Sequence, residues 1–425
     1  MIALIQESQG LSTSVIFAIL ALDVPLLLYT AKKRPWVPLM MIFALAPFQQ
    51  DMSVGGPIRF SIAEINLLIT TMIFFWRRRP IRWGPAILPT VLYLAVCVAS
   101  SALHWRPTSL TSIIQIGLYM VCAVMVFTTF ARDENDFAPA FYGLLAIGLL
   151  LAVSVIVLRS GYVLGLHKNG VGGSLSCAVI VCSELWFGAT TRGKRTIFAV
   201  TLGILICGLF FTLSRGAWIG ALVGLLTIIT MRGRFLILFR CAIVFIPLVA
   251  LCWKYLPEQD KGYTTGLSST ENENIRMRYQ SLYYAQGEFN RSKLLGNGVG
   301  LRKEYDATNL FWLTAAETGV LGLVTFFWVH LSIFKMVWYA QKRLLRREPL
   351  YSAVAIGGAL IAGRMIHGMV DHYWSRGSLM MAWCSSGMAT YGYYVVKYRV
   401  RQARAQRDFP EPPPEQPLLT ETQAA

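Results

Sequence analysis

The residues best equipped for chemistry in this chain are a few arginines, histidines and carboxylates set in apolar sequence. In Phe211-Thr-Leu-Ser-Arg-Gly-Ala-Trp218, Arg215 stands where two apolar runs meet with almost no loop. An arginine at a hydrocarbon boundary is costly unless it snorkels or meets an anion, and its planar fork suits bidentate binding of phosphate. A snorkelling turn residue is the plainer reading, and Gly216 fits a tight turn in either case. His167-Lys168-Asn169-Gly-Val-Gly-Gly173 precedes another apolar run. Lys168 can meet an anion there, and Asn169 with the N–H groups of a following helix can hold phosphate or sugar hydroxyls. Asn274-Ile-Arg-Met-Arg-Tyr-Gln-Ser-Leu-Tyr-Tyr284 reads as a short amphipathic helix carrying Arg276 and Arg278, and it leads to the turn Leu294-Leu-Gly-Asn-Gly-Val-Gly300. Asn309 opens the next apolar run, and Glu317, two turns in, needs a partner, for which Arg278 is a candidate. In Arg364-Met-Ile-His-Gly-Met-Val-Asp371, Arg364, His367 and Asp371 are spaced i, i+3 and i+7. On a helix they share one face, as a general base with its partners or as a buried ion-pair network.

These residues must be positioned by membrane helices. Of 425 residues, 55% are apolar and 14% charged, against about a quarter charged in a soluble domain. Apolar blocks predict spans at about 12–30, 36–50, 60–76, 86–103, 110–130, 137–158, 170–189, 196–213, 216–231, 235–253, 308–334, 350–366 and 377–396. Blocks of that length cross a bilayer as helices, and runs such as Ala138–Leu158 lack the alternation of a barrel strand. The expected architecture is an all-α bundle of about 12–13 transmembrane helices over 1–398, with one large polar loop at 254–307. The Pro-, Glu- and Gln-rich segment 399–425 reads as a disordered tail. The start lacks a basic n-region and a small-residue cleavage site, so no cleaved signal peptide is expected. Asp23 and Glu184 fall within spans without an obvious partner.

The positive-inside rule orients the bundle. With Lys32-Lys33-Arg34 cytoplasmic, strict alternation places Arg77-Arg78-Arg79, Arg132, Arg192, Lys194, Arg232, Arg234, Lys342 and Lys397 onward inside, and leaves the outer short loops poor in basic residues. The C-terminus is then cytoplasmic. Every candidate above falls on the outer side, including His167, His367 and the long loop. No cytoplasmic loop is long enough for a nucleotide-binding domain, and no Gly-x-x-x-x-Gly-Lys-Ser/Thr motif occurs. Chemistry is expected outside, without ATP or a nucleotide-sugar donor. The net charge of +17 fits cytoplasmic loops and anionic lipid, not nucleic acid. The eight cysteines show no Cys-x-x-Cys spacing, and two His with one Asp near 367–372 lack a third strong ligand, so neither a metal site nor a disulfide framework is expected.

In this order the motifs resemble those of the O-antigen ligase and polymerase superfamily. Leu213-Ser-Arg-Gly-Ala-Trp218 is similar to its Ser-Arg-Gly motif, and His167-Lys-Asn-Gly-Val-Gly172 to its Lys-Asn-x-x-Gly element. Arg278 with Gly296-Asn-Gly-Val-Gly300 resembles its Arg…Leu-Leu-Gly-x-Gly stretch. Asn309…Glu317-Thr-Gly…Gly322 resembles its His-Asn-x-x-Leu…Glu-x-Gly-x-x-Gly signature, and His367…Asp371 its His-x-x-x-Asp element. The resemblance covers about 160–375. It implies a glycosyltransferase-C-like inner-membrane enzyme, without metal or cofactor, that takes glycan from undecaprenyl diphosphate at the periplasmic face. A flippase and a chain-length regulator of the same pathway are its implied partners, besides the bilayer itself. Arg215 and Arg278 would hold the diphosphate; His167, Lys168, Asn169, Arg276, Asn309 and Arg364 would bind substrate. Where ligases place His before Asn, this chain has Thr308, which is no base near neutral pH. That departure points to a polymerase of lipid-linked repeat units, with His367, Asp371 or Glu317 as the base. The alternatives are a ligase acting on lipid A-core and, from another class, a lipid-linked-sugar flippase or secondary transporter.

Overall fold

The computed structural model describes residues 13–48, 53–54, 60–76, 82, 84–236, 254, 273–301, 309–371 and 376–408. Their helices are α1 (Thr13–Lys33), α2 (Trp36–Leu45), α3 (Ile62–Trp76), α4 (Ile87–Leu103), α5 (Ser109–Gly117), α6 (Val124–Thr129), α7 (Ala138–Leu158), α8 (Lys168–Gly188), α9 (Arg192–Phe211) and α10 (Arg215–Arg232). Within the long polar segment lies α11 (Glu273–Arg291), and after it come α12 (Leu310–Gln341), α13 (Pro349–Val370) and α14 (Arg376–Asp408). A π-helical turn, Leu118–Ala123, joins α5 to α6. A two-residue antiparallel pair, Ser53–Val54 with Phe60–Ser61, precedes α3. The protein is an all-α polytopic membrane bundle: among the described residues seven helices are long and apolar enough to cross a bilayer, and four shorter apolar helices accompany them. Each expected span coincides with a helix except 235–253, nearly all of which lies outside the described residues.

Local chemistry explains where the helices start and stop. Ser61 and Glu64 cap α3 reciprocally: Ser61 N–H donates to Glu64 Oε2 at 2.7 Å, and Glu64 N–H to Ser61 Oγ at 3.2 Å. Asn309 Oδ1 accepts the Trp312 N–H at 3.1 Å and starts α12. Gly233, at φ +61, ends α10 in the left-handed conformation. The long polar segment holds a longer helix than expected, since α11 runs on to Arg291. The boundary expected at 398 also moves: α14 continues to Asp408, so 399–408 is helical and not a disordered tail. Its Arg, Gln and Ala residues favour helix, and Arg399 pairs with Glu348 at 2.6 Å. Residues 409–425 lie outside the described ones.

Packing sorts the helices by depth. α8 and α13 are buried along most of their length and pack with α10, while α13 also packs on α14. α9 and α1 lie at the rim, where Ile197, Val200, Leu22 and Tyr29 point outward, as lipid-facing side chains do. At one end of this core Glu184 of α8 pairs with Arg232 of α10, both side chains almost fully buried. Arg232 also donates to Arg346 O at 2.7 Å and to Ser352 Oγ at 3.2 Å, tying α13 into the same knot. The partner that Glu184 lacked in sequence is therefore Arg232.

Helix α12 is broken. Gly319 has φ +64 and ψ −165 inside it, a conformation open to glycine. The loop after α11 docks into the break: Val320 N–H donates to Lys293 O at 2.8 Å and Asn297 N–H to Ala316 O at 2.8 Å. Helix breaks within membrane proteins persist where other groups satisfy the freed backbone in this way.

Candidate functional site

The opposite ends of α8, α10 and α13 from the Glu184–Arg232 knot gather the candidates named by sequence. The α8 N-terminus packs on the α9–α10 turn so closely that a Cβ at Gly172 would lie 2.8 Å from Ser214 Cβ and 3.0 Å from Ala217 Cβ. The two motifs, Lys168-Asn-Gly-Val-Gly and Ser214-Arg-Gly, are thus one structural unit. His167 caps α8, its Nδ1 accepting the Asn169 N–H at 3.3 Å, with its ring edge-on to Tyr162. Lys168 and Arg215 are half-buried, and Asn169 is buried. Two helix N-termini, of α8 and α10, therefore open side by side, each with a basic residue at its first position. Oriented N–H groups and helix dipoles make such ends anion sites.

α13 reaches this place with its C-terminal end. Arg364 is 2% exposed and its Nη1 donates to Gly173 O at 3.2 Å and to His367 Nδ1 at 3.1 Å. Guanidinium has no acceptor, so Nδ1 of His367 must carry the lone pair and Nε2 the proton. His367 is held as the neutral Nε2–H tautomer, a donor. Its ring abuts α10: a Cβ at Gly216 would sit 2.8 Å from His367 Cδ2 and 3.1 Å from Nε2. One turn further, the α13 helix ends at Asp371, whose side chain is 1% exposed. Arg278 of α11 closes the cluster from outside, donating to Val370 O at 2.5 Å and pairing with Asp371 at 3.3 Å. Asn309 Nδ2 donates to Met369 O at 2.9 Å and brings the start of α12 to the same helix end.

α11 is held in register by its far end. Asn297 Nδ2 donates to Glu288 O at 2.6 Å and Arg106 Nη2 lies 3.7 Å from Glu288 Oε2, tying α11 to the α4–α5 corner. The fork of Arg278 thus rests on a fixed helix.

One expectation is corrected by these contacts. Glu317 is not the partner of Arg278: its Oε1 accepts the Gly300 N–H at 2.9 Å, and Ser100 Oγ donates to its backbone carbonyl at 2.7 Å. It stands about 12 Å of helix rise beyond Asn309 and secures the docked loop. Arg276 is exposed, on a different face of α11 from Arg278, as an i, i+2 pair must be. The sequence reading also missed Ser214. At 2% exposure its hydroxyl makes no hydrogen bond among the described residues, and it leaves the α10 N-terminus uncapped by any side chain. A serine just before a helix start was the available signal. Among the described residues no three His, Cys, Asp or Glu side chains cluster as metal ligands; His372 lies outside them.

The arrangement offers basic side chains, a neutral donor, two helix N-termini and one buried carboxylate at the same end of α8, α10 and α13. It can bind a polyanion, stabilise negative charge that grows on it, and accept a proton at Asp371. Comparison with known proteins finds no matching family model and no matching curated protein.

Proposed function

We propose that the protein is a membrane glycosyltransferase that polymerises undecaprenyl-diphosphate-linked repeat units into exopolysaccharide or O-antigen at the periplasmic face of the bacterial inner membrane. The observation that carries the reading is the convergence of Arg278, from an extramembrane helix, on Asp371 and the end of α13, next to the α10 N-terminus that bears Arg215. Basic residues remote in sequence thus stand on adjoining helix ends, which supports a diphosphate site there. The order of the motifs, similar to that of the O-antigen ligase and polymerase superfamily, supports the same reading.

On this reading Arg215, Lys168 and the N–H groups of α8 and α10 hold the diphosphate. The acceptor hydroxyl oxygen attacks the anomeric carbon as the bond from that carbon to the diphosphate oxygen breaks. The departing electron pair stays on the diphosphate, where Arg215 and Arg278 stabilise it. The hydroxyl proton passes to Asp371. His367 serves as a donor through Nε2–H and Glu317 as a fastening of the loop, which leaves Asp371 as the base among the three carried from sequence. Thr308 in place of a histidine favours a polymerase over a ligase.

The test is genetic. Deleting the gene, or replacing it with Arg278→Ala or Asp371→Asn, should leave glycan of single repeat units. Long chains accumulating unligated on the carrier lipid would instead assign a ligase, and unaltered glycan would end both readings.

A further inference from the structure

A second polar site lies away from the one described, on helices α1 and α3. The inner face of α1 carries Asp23, Leu27 and Ala31, at 5%, 0% and 0% exposure, while Leu22 and Tyr29 face outward. Across from it α3 presents Asn66 and Thr70, one turn apart and both fully buried. The Asn66 amide lies beside the Asp23 carboxyl, yet neither makes a hydrogen bond of regular geometry. Both carboxylate oxygens, both amide atoms and the Thr70 hydroxyl are unpartnered among the described residues.

Thr70 makes the case. A threonine in a membrane helix ordinarily turns its hydroxyl back to the carbonyl four residues before, as Thr71 does to Leu67 O at 2.7 Å and Thr30 to Leu26 O at 2.6 Å. Thr70 forgoes that bond and stays buried without another. In a bilayer, where water is scarce, an acid, an amide and a hydroxyl left open together call for a common ligand. About 15 Å of helix rise separates Asp23 from Lys33, and as much separates Asn66 from Trp76, while Asn66 stands only about 6 Å from the opening of α3.

Among the described residues no basic group pairs with the carboxylate. α2, which also packs on α1, has no charged residue. The one charged residue of α3 is Glu64, which binds the Ser61 N–H and the Tyr119 hydroxyl. A protonated Asp23 would donate one hydrogen bond through its hydroxyl and can accept another at its carbonyl oxygen, without drawing the Thr70 oxygen to itself. A cation draws oxygen from all three side chains at once. With a single carboxylate, the charge match is to a monovalent ion; divalent sites gather more carboxylates or keep a water shell. We propose that Asp23, Asn66 and Thr70 form an intramembrane site for a hard monovalent cation of the sodium class, joining α1 to α3.

The experiment is thermal unfolding of the purified full-length chain in detergent, in sodium chloride and in choline chloride at equal concentration, over pH about 5 to 8. Ligand that binds only the folded state raises Tm by mass action. Wild type should melt several degrees higher in sodium, Asp23→Asn should lose that difference, and Thr70→Val should reduce it. Equal Tm in the two salts, or a sodium rise that survives Asp23→Asn, overturns the proposal. So does a Tm in choline that follows pH through Asp23 with no response to sodium, which assigns a proton instead. Should Asp23→Asn not fold, Thr70→Val decides: an undiminished sodium response in it also overturns the site.

Discussion

A guanidinium sealed inside a membrane bundle dictates the state of whatever it touches. Arg364 donates to His367 Nδ1, so His367 is fixed as a neutral donor and its other nitrogen faces Gly216 of α10. Removing its imidazole should therefore slow turnover without removing the titrating base: in His367→Gln the pH–rate profile is expected to keep the wild-type shape. Loss of a limb from that profile would return the base to His367. Gly216 is a matter of space. Gly216→Ala drives a methyl to 2.8 Å from the imidazole Cδ2, and overpacking of this kind costs about 1–3 kcal/mol, measurable as a lower Tm, with loss of activity beyond it. Arg215→Ala should lower turnover by about 10²–10³-fold, as loss of a charge-stabilising donor does, and Arg215→Lys should recover little, since a point charge does not replace a bidentate fork.

At the scale of elements, α8, α10 and α13 act as one unit fastened at both ends. One end is the candidate site; the other is the Glu184–Arg232 pair with Ser352 and the Arg346 carbonyl. Glu184→Gln leaves the Arg232 charge buried without its counterion, a change that costs about 3–5 kcal/mol, to be read as a large drop in Tm. A milder link ties α14 to the start of α13. Burial alone would raise the Glu348 carboxyl, but Arg399 and the Leu345 N–H prevail and hold it below the ordinary 4.5. Its contribution is present above that value and is lost as pH falls through the lowered one. Proteolysis of the α14 extension should therefore quicken only below about pH 4.5, and the Arg399→Ala variant should show the faster rate already at neutral pH. Much at this scale was legible beforehand. Apolar blocks marked the spans, and the i, i+3 spacing put Arg364 and His367 together. What stayed hidden are partners distant in the chain: Asp371 for Arg278, Arg232 for Glu184, and the Gly300 N–H for Glu317. Hydropathy sees a charge that needs an answer but not which of many donors arrives, least of all a backbone N–H from a docked loop.

The whole molecule separates two polar ends by an apolar girdle whose outward side chains, such as Ile197, Leu222 and Leu331, meet lipid. The positive-inside reading assigns the end with Arg232 and Arg399 to the cytoplasm and the end with Arg215 and Arg278 to the periplasm. Single cysteines at exposed Tyr162 and at Lys194, in a background lacking the native ones, should distinguish the sides. An impermeant maleimide added to spheroplasts is expected to label Tyr162→Cys and to spare Lys194→Cys, and the reverse would turn the protein over. The proposed chemistry is tested with purified protein in lipid and undecaprenyl-diphosphate-linked repeat units as the only substrate. Glycan longer than one repeat should form, with one undecaprenyl diphosphate released per bond formed, and neither product should come from Arg278→Ala or Asp371→Asn. Polymer made at the wild-type rate by those variants, or substrate returned intact by folded wild-type protein, would contradict it.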